Sequence, residues 1–308
     1  MLNKNKIKSW KMIKYNILSI ALLWFISIKS SAKENLIDFE RRIDKTQSVQ
    51  AGADFEISSS FSDIDYQTWD RNEVKICVIL SVDTKNEKEA ERFFEKVDID
   101  YQGSSSRVKL KTKWEGNWNS SKDGTFKIQL IIFAPSNINL DLKHSFGATS
   151  INEISNAKID SEYGSLDIGA CMGTNNRLEV SFGSVSIGSL DGGELDIEYG
   201  DAKIGKVQND CVFNVSFSNA NITVTPNFSG DIEVNNSYSD CDVYIQKNQG
   251  INFTCRSSFG DVSYPKYLSI VKKEKEMFSE EIECNFGNAA LNLLVNNSFG
   301  DFKLKSQN

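Results

Sequence analysis

Residues 178–187 read Leu-Glu-Val-Ser-Phe-Gly-Ser-Val-Ser-Ile, and this arrangement recurs through the second half of the chain. A motif in which an aromatic residue is followed by Gly or Ser and flanked by apolar residues at fixed positions occurs nine times after residue 140, at intervals of 13 to 27 residues. The residue four positions before the aromatic and the residue five positions after it are apolar in every copy. The nine aromatic residues are Phe146, Tyr163, Phe182, Tyr199, Phe217, Tyr238, Phe259, Phe286 and Phe299. A repeat of this length is typical of architectures built by stacking coils.

The spacing of the apolar residues predicts a strand, a corner and a second strand in each repeat. The apolar residue before the aromatic shares its parity and therefore its strand face, whereas the apolar residues after it have the opposite parity. A corner at the glycine keeps both sets on one side, because Gly tolerates the bend and the following Asp, Asn or Ser can bond its own backbone. The sequence therefore predicts a mainly β protein, a right-handed or single-stranded parallel β-helix (β-solenoid) of about nine coils. An antiparallel sandwich of nine hairpins remains the alternative.

The N-terminal 32 residues have the composition of a secretory signal peptide. A lysine-rich start precedes the apolar stretch 17–28, and Ser30-Ser31-Ala32 supplies the small residues of a cleavage site. Twelve apolar residues fall short of the ~20 that a membrane-spanning helix needs. We expect cleavage after Ala32 and an exported protein, periplasmic or at the cell surface, with no membrane span after cleavage. An uncleaved N-terminal anchor is the alternative.

Residues 33–140 are less regular than the repeats and are predicted to form a small α+β segment that caps one end of the solenoid. Residues 141–308 contain the repetitive part, and residues 33–308 are expected to form one continuous domain. The cap is predicted to contain an early copy of the motif at Phe61, a strand over 74–82, a short helix over 86–97 with Asn86 as its N-cap, and strands at about 106–113 and 126–133.

Charge and composition exclude some partners. The whole chain has a net charge of −7, and loss of six lysines with residues 1–32 makes it −13. Such a surface repels phosphate backbones, so nucleic acid is not expected as a partner. A hydrophobic content of 40% is enough for a packed core.

The six cysteines are even in number in an exported chain, which leaves disulfides possible in principle. The repeat register favours another interpretation. Cys241 and Cys255 occupy apolar columns of the repeat, and Cys211 and Cys284 share the parity of the following aromatic. These four are predicted to point inward as small apolar side chains with free thiols.

Residues for catalysis or metal binding are scarce. The only histidine, His144, has no distinctive neighbour and is expected to be solvated or in a turn. Recurrent aspartates follow the Gly or Ser of the motif and could bind calcium, or cleave polysaccharide as in some β-helix enzymes, but Ser and Asn replace them in other copies. A turn function explains all three residue types. We therefore predict no catalytic, cofactor-binding or metal-binding residues.

Trp114 and Trp118 lie in a polar stretch and are the only candidate ligand contacts in the sequence. Paired exposed tryptophans can stack on sugar rings. A loop that folds back onto the core explains the pair as well.

From about residue 54 to the C-terminus, the chain resembles the putative-adhesin family of bacterial envelope proteins. The resemblance rests on the segments 61–64, 67–70 and 74–82, on the acidic helix around 87–91, on 126–135 with 140–142, and on the repeated Ser-Phe-Gly-Asp units. It implies a β-solenoid, a periplasmic or surface location and no established catalysis. The cysteines and the long interval between Phe259 and Phe286 depart from the family pattern.

These observations together predict a non-catalytic, exported, adhesin-like interaction module of the cell envelope. Its expected partner is an unidentified envelope or surface component, protein or glycan. The alternative is a module that binds envelope glycans or amphiphiles, and a polysaccharide-active β-helix enzyme is less favoured.

Overall fold

The structure, a computed structural model, describes residues 36–116 and 125–307. The predicted signal peptide and Trp118 lie outside the described residues. The described part is mainly β, with 71% of its residues in strands and 3% in helix. Its strands are hydrogen-bonded into one 23-stranded sheet.

In chain order, the described elements are β1 (Ile37–Ser48), β2 (Asp54–Ser60), β3 (Asp63–Trp69), β4 (Glu73–Thr84), α1 (Glu87–Phe94), β5 (Val97–Gly103), β6 (Arg107–Trp114), β7 (Thr125–Pro135), β8 (Asn139–Ser155), β9 (Lys158–Met172), β10 (Asn176–Ser181), β11 (Ser184–Leu190), β12 (Gly193–Glu198), β13 (Asp201–Val207), β14 (Cys211–Ser216), β15 (Asn219–Val224), β16 (Gly230–Ser237), β17 (Asp240–Gln246), β18 (Ile251–Ser258), β19 (Val262–Ser263), β20 (Ser269–Lys275), β21 (Ser279–Phe286), β22 (Leu291–Ser298) and β23 (Phe302–Gln307).

The repeats form two stacks of parallel strands. The first stack contains the strands that precede the motif aromatics, in the spatial order β2, the first part of β8, the first part of β9, β10, β12, β14, β16, β22 and β18. The second stack contains the strands that follow them, in the order β3, the second part of β8, the second part of β9, β11, β13, β15, β17, β23 and β19. Every one of these pairings is parallel.

The pairing register aligns equivalent repeat positions, so the apolar side chains form continuous columns in the core. Leu178 pairs with Leu195 in the first stack, and Ile187 pairs with Ile204 in the second. These four side chains are at most 2% exposed, whereas Ser186 faces solvent. The predicted parallel pairing of successive repeats is confirmed here, and the alternative of antiparallel hairpins is wrong for these strands.

The N-terminal segment adds antiparallel strands and one helix to the stacks. β6 and β7 pair in parallel with β2 and β3, and β4 pairs antiparallel with β7. The predicted helix exists, and Oδ1 of its N-cap Asn86 accepts a hydrogen bond from the backbone N–H of Glu89 at 3.1 Å. The helix ends at Phe94 rather than at Val97, because Val97 begins β5 and pairs with Trp114.

The C-terminal repeat does not occupy the end of the stacks. β22 lies between β16 and β18, and β23 lies between β17 and β19. The hairpin β20–β21 occupies the outer side of β18 through antiparallel pairing. Spatial order therefore departs from chain order, which the expectation of successively stacked coils did not include.

Candidate functional site

Nine aromatic side chains form an exposed line along the corner between the two stacks, which we call the aromatic ridge. Neighbouring rings have centroids 4.7–5.0 Å apart and planes within 6° of parallel. Each side chain is 44–54% exposed. In spatial order the members are Phe61, Phe146, Tyr163, Phe182, Tyr199, Phe217, Tyr238, Phe299 and Phe259.

The backbone conformation of the aromatic residue turns its ring outward. All nine members have φ between 51° and 61°, in the left-handed region. Strand parity predicts that the ring shares the buried face of the residue four before it. That prediction is wrong, because the left-handed residue breaks the alternation and is itself the corner. A left-handed L-residue costs about 1–2 kcal/mol, and stacking of about 0.5–1.5 kcal/mol per pair offsets it, since an interior ring has two neighbours.

Phe286 belongs to the repeated motif but is not a member of the aromatic ridge. It lies outside the ridge, packs edge-on against Tyr267 at 5.0 Å and has no left-handed φ. Phe61, the early copy noted in the sequence, is a ridge member. Phe278, which lacks the motif, stacks on Phe259 at 5.1 Å and extends the line.

The glycine after each aromatic permits the close approach of successive coils. A Cβ at Gly183 would lie 2.1 Å from the carbonyl oxygen of Gly164, and one at Gly200 would lie 1.9 Å from that of Gly183. Where serine replaces the glycine, its hydroxyl forms hydrogen bonds to nearby backbone groups. The Ser218 hydroxyl donates to the Ser216 carbonyl at 2.7 Å and accepts from the backbone N–H of Gly200 at 3.0 Å.

The ridge exposes ring edges rather than ring faces. Each interior ring is covered on both faces by parallel neighbours, so a sugar ring or base cannot stack on it. The exposed ring edges form a narrow apolar strip. Its nine rings are separated by eight strand spacings, which makes the strip about 40 Å long. The strip also carries the tyrosine hydroxyls of residues 163, 199 and 238. A continuous exposed apolar strip of this length makes the ridge a candidate interaction surface.

Two grooves flank the ridge near Tyr238. One, of about 510 Å³, lies on the first-stack side and is lined by Asn214, Asn235 and Asn296 together with the serines that precede the ridge aromatics; we call it the asparagine groove. The other, of about 270 Å³, lies on the second-stack side beside Asn219 and Asp240. Sequence analysis missed the asparagine groove, although its signal is visible: Asn stands three residues before the aromatic in three copies.

The recurrent aspartates bond to backbone. Asp63 accepts from the N–H of Ala148 at 3.2 Å, and Asp240 accepts from the N–H of Asp301 at 3.0 Å. Each of these two carboxylates therefore links its own coil to the next, and the prediction that this residue bonds its own backbone at the corner is wrong for them. Within residues 36–116 and 125–307, no group of three or more His, Cys, Asp or Glu side chains is placed to hold a metal ion.

His144 is buried, so the expectation of a solvated or turn histidine is wrong. Only 3% of its surface is exposed. Nε2 donates to the carbonyl oxygen of Ser62 at 2.8 Å, and Nδ1 then accepts from the hydroxyl of Thr149 at 2.9 Å. Burial lowers the pKa of His144, opposed by its bond to Ser62 and by the charge of Asp63. Ser62 is also buried, so this Ser–His pair cannot reach a substrate.

Trp114, one of the two predicted ligand contacts, packs against the cap. Its ring stacks on Phe126 at 5.1 Å and approaches Phe93 at 5.3 Å. Its indole N–H donates to the carbonyl oxygen of Gly116 at 2.7 Å. Trp114 is thus packed against the core; Trp118 is outside the described residues.

All six cysteines are buried with free thiols. The inward direction predicted for Cys211, Cys241, Cys255 and Cys284 is confirmed. Burial raises the pKa of the Cys171, Cys211 and Cys255 thiols to about 12. Such thiols remain protonated and unreactive at neutral pH.

No family model and no curated protein matches the chain. It is similar to solved structures at low identity. A putative adhesin from Parabacteroides merdae shares 12% identity over 86% of this chain and 96% of that chain, with a TM-score of 0.35. A putative adhesin from Bacteroides fragilis shares 13% identity over 86% and 97%, with a TM-score of 0.30. A putative lipid binding protein from Parabacteroides distasonis shares 8% identity over 85% and 96%, with a TM-score of 0.36.

The descriptions of the two adhesins agree with the resemblance drawn from the sequence. At these TM-scores the superposition is too loose to transfer a ligand or an activity to this chain. In the part of the chain that the structure describes, no helix has the length and apolar character to cross a membrane.

Proposed function

We propose that this protein is a non-catalytic, exported interaction module of the cell envelope, adhesin-like in kind, and that the aromatic ridge is its contact surface. The observation that carries the proposal is the unbroken exposure of nine stacked rings. Soluble proteins seldom leave a continuous apolar surface open unless something binds it. A strip of ring edges suits a partner with an extended apolar or amphipathic surface.

The arrangement of the two parallel stacks is also part of the proposed function. We infer that the two parallel stacks are two sides of one β-solenoid, whose shared corner is the ridge and whose N-terminal end is capped by residues 33–140. In-register parallel pairing between successive repeats supports this inference. A solenoid is also a rigid rod, so it would hold all ridge rings in one line toward a partner. The signal-peptide composition supports export, to the periplasm or cell surface.

The test is cosedimentation of residues 33–308 with bacterial outer-membrane and peptidoglycan fractions. The ridge variant combines Phe182→Asn and Tyr199→Asn, since Asn accepts a left-handed φ and removes the ring without bending the corner. We expect this variant to lose at least about tenfold in apparent affinity. The control is Ile270→Asn, which removes a 56% exposed apolar side chain from β20, away from the ridge. The control should bind as the unchanged protein does.

Circular dichroism of each variant establishes that the fold is intact. Unchanged binding by a folded ridge variant would mean that the stacked rings only stabilise the corner. Tyr199→Phe separates the two chemical components of the ridge: retained binding assigns the contact to the ring edge, and lost binding assigns it to the hydroxyl. Release of reducing ends from surface polysaccharides would contradict the non-catalytic part of the proposal.

A further inference from the structure

The asparagine groove has a regular hydrogen-bonding floor. Asn235 donates from Nδ2 to Oδ1 of Asn214 at 3.0 Å, and Asn296 donates to Oδ1 of Asn235 at 2.8 Å. Each amide therefore repeats once per coil along the groove, as the ridge rings do. Both side chains are half-buried, so the ladder holds them in one orientation.

This ladder leaves hydrogen-bonding capacity for a ligand. A side-chain amide has two N–H donors and two acceptor sites on its oxygen. Asn235 uses one of each within the ladder, and Asn296 uses one donor. Asn236 also lines the groove, is 2% exposed, and its Oδ1 has no hydrogen-bond partner within the described residues. That oxygen is buried on the core-facing side of β16, because Asn236 alternates with the outward-facing Asn235, so the amides of Asn235 and Asn296 are the ones open to a ligand.

The groove has a single charged side chain although the protein is acidic. Its one charged side chain, Arg256, is paired with Glu281 at 3.1 Å, so it offers no free cation to an anionic ligand. Toward the N-terminal end the same face becomes acidic at Asp196 and Glu198, which would repel anions. Neutral donors and acceptors together match the hydroxyl group, which also both donates and accepts.

We propose that the asparagine groove binds a neutral polysaccharide chain lying along the stack. The amides and the serine hydroxyls of the groove bond the sugar hydroxyls. The ridge aromatics Phe217, Tyr238 and Phe299 follow these serines in sequence but line the second groove, so they do not form part of this site. This proposal rests on the proposed function, since it names the ligand class for a groove beside the ridge.

The experiment measures binding of residues 33–308 to soluble neutral polysaccharides, namely dextran, mannan and laminarin, by affinity electrophoresis. Carboxymethyl-dextran is the anionic comparison. We expect retardation by at least one neutral polymer and none by the anionic one. The variant Asn235→Ala with Asn296→Ala should lose about tenfold in affinity, as expected for two hydrogen-bonding groups.

The matched control is Asn252→Ala. Asn252 also belongs to an asparagine ladder, donating to Oδ1 of Asn292 at 2.9 Å, but it is exposed outside the groove. Its loss should leave the affinity unchanged. Equal loss in both variants, or no retardation by any neutral polymer, would overturn the groove proposal. If the protein then still sediments with envelope fractions through the ridge, the proposed function stands; if it does neither, both fail. Binding to the envelope that protease treatment abolishes would point to a protein partner and also overturn the glycan proposal.

Discussion

The stacking of the aromatic ridge can be measured by a double-mutant cycle on Phe182 and Tyr199. Their ring centroids are 4.9 Å apart and their planes differ by 3°. Each ring also stacks on one further neighbour, so replacing either one by Asn removes two stacked pairs. That loss is about 1–3 kcal/mol, and Asn recovers part of the left-handed cost of about 1–2 kcal/mol. Each single variant should therefore be destabilised by about 0.5–2 kcal/mol.

The coupling energy is the sharper quantity, because the left-handed cost cancels in the cycle. Phe182 and Tyr199 share one stacked pair, so we expect a coupling of about 0.5–1.5 kcal/mol. Phe182 and Phe217 are the control pair, since each stacks on Tyr199 and not on the other. Their effects should add to within about 0.5 kcal/mol.

The assay is urea unfolding of residues 33–308 followed by far-ultraviolet circular dichroism, with equal m-values required across the cycle. Coupling in the control pair as large as in the adjacent pair would refute pairwise stacking, because it would mean that the whole corner responds as a unit. Absence of coupling in the adjacent pair would show that stacking contributes nothing measurable, and the ridge rings would then need another reason for their outward position.

Three further predictions follow from the core. Ile187→Ala should cost about 2–5 kcal/mol because it leaves a cavity in a buried column, whereas Ser186→Ala on the solvent face should change the free energy of unfolding by less than about 0.5 kcal/mol; urea unfolding checks both, and equal effects would contradict the register. The cysteine thiols should label weakly in the native protein and strongly after denaturation without reductant, as mass spectrometry can count; weak labelling after denaturation would mean disulfides. Burial lowers the pKa of His144 in the folded state, so the unfolded state binds more protons below pH ~6.5 and stability should fall as pH decreases, by at most ~1.4 kcal/mol per pH unit; His144→Gln should remove that component, and identical pH profiles would refute it.

Sequence analysis predicted the core of this protein well because the repeat columns are physical constraints. The repeat position of Ile187 is apolar in every copy because the side chain stacks on its equivalent in the next coil. The alternation of side chains along a strand shows which neighbouring residues face outward. The aromatic column was found for the same reason and then misplaced. Parity arguments assume extended backbone, and no pattern of letters shows that Phe182 has a φ of 55°.

The asparagine groove was missed because it depends on several coils at once. Asn214, Asn235 and Asn296 each look like an ordinary surface residue within one repeat. They become a ladder only when their strands are placed side by side, and Asn296 is 61 residues from its partner Asn235. His144 was misjudged in a similar way, since its partner Ser62 comes from β2–β3 and lies 82 residues earlier.

The position of the C-terminal repeat could not be predicted from the repeated apolar positions. Phe299 has the same motif as its neighbours. Its repeat would therefore align its apolar positions equally well outside Phe259 or between Phe259 and Tyr238. The outer place is already taken, because Phe278 from the β20–β21 hairpin stacks there and β21 pairs with β18.

The chain therefore returns to the inner place, where Gly250, Gly260 and Gly300 permit close backbone contacts. A Cβ at Gly250 would lie 1.9 Å from the carbonyl oxygen of Asn288, so any side chain there would block the segment that leads into β22. The interval of 27 residues between Phe259 and Phe286 contains β19 and the hairpin β20–β21, and the return to β22 follows it. Coil order at this end thus follows from occupancy of an edge, which leaves no periodic trace in the sequence.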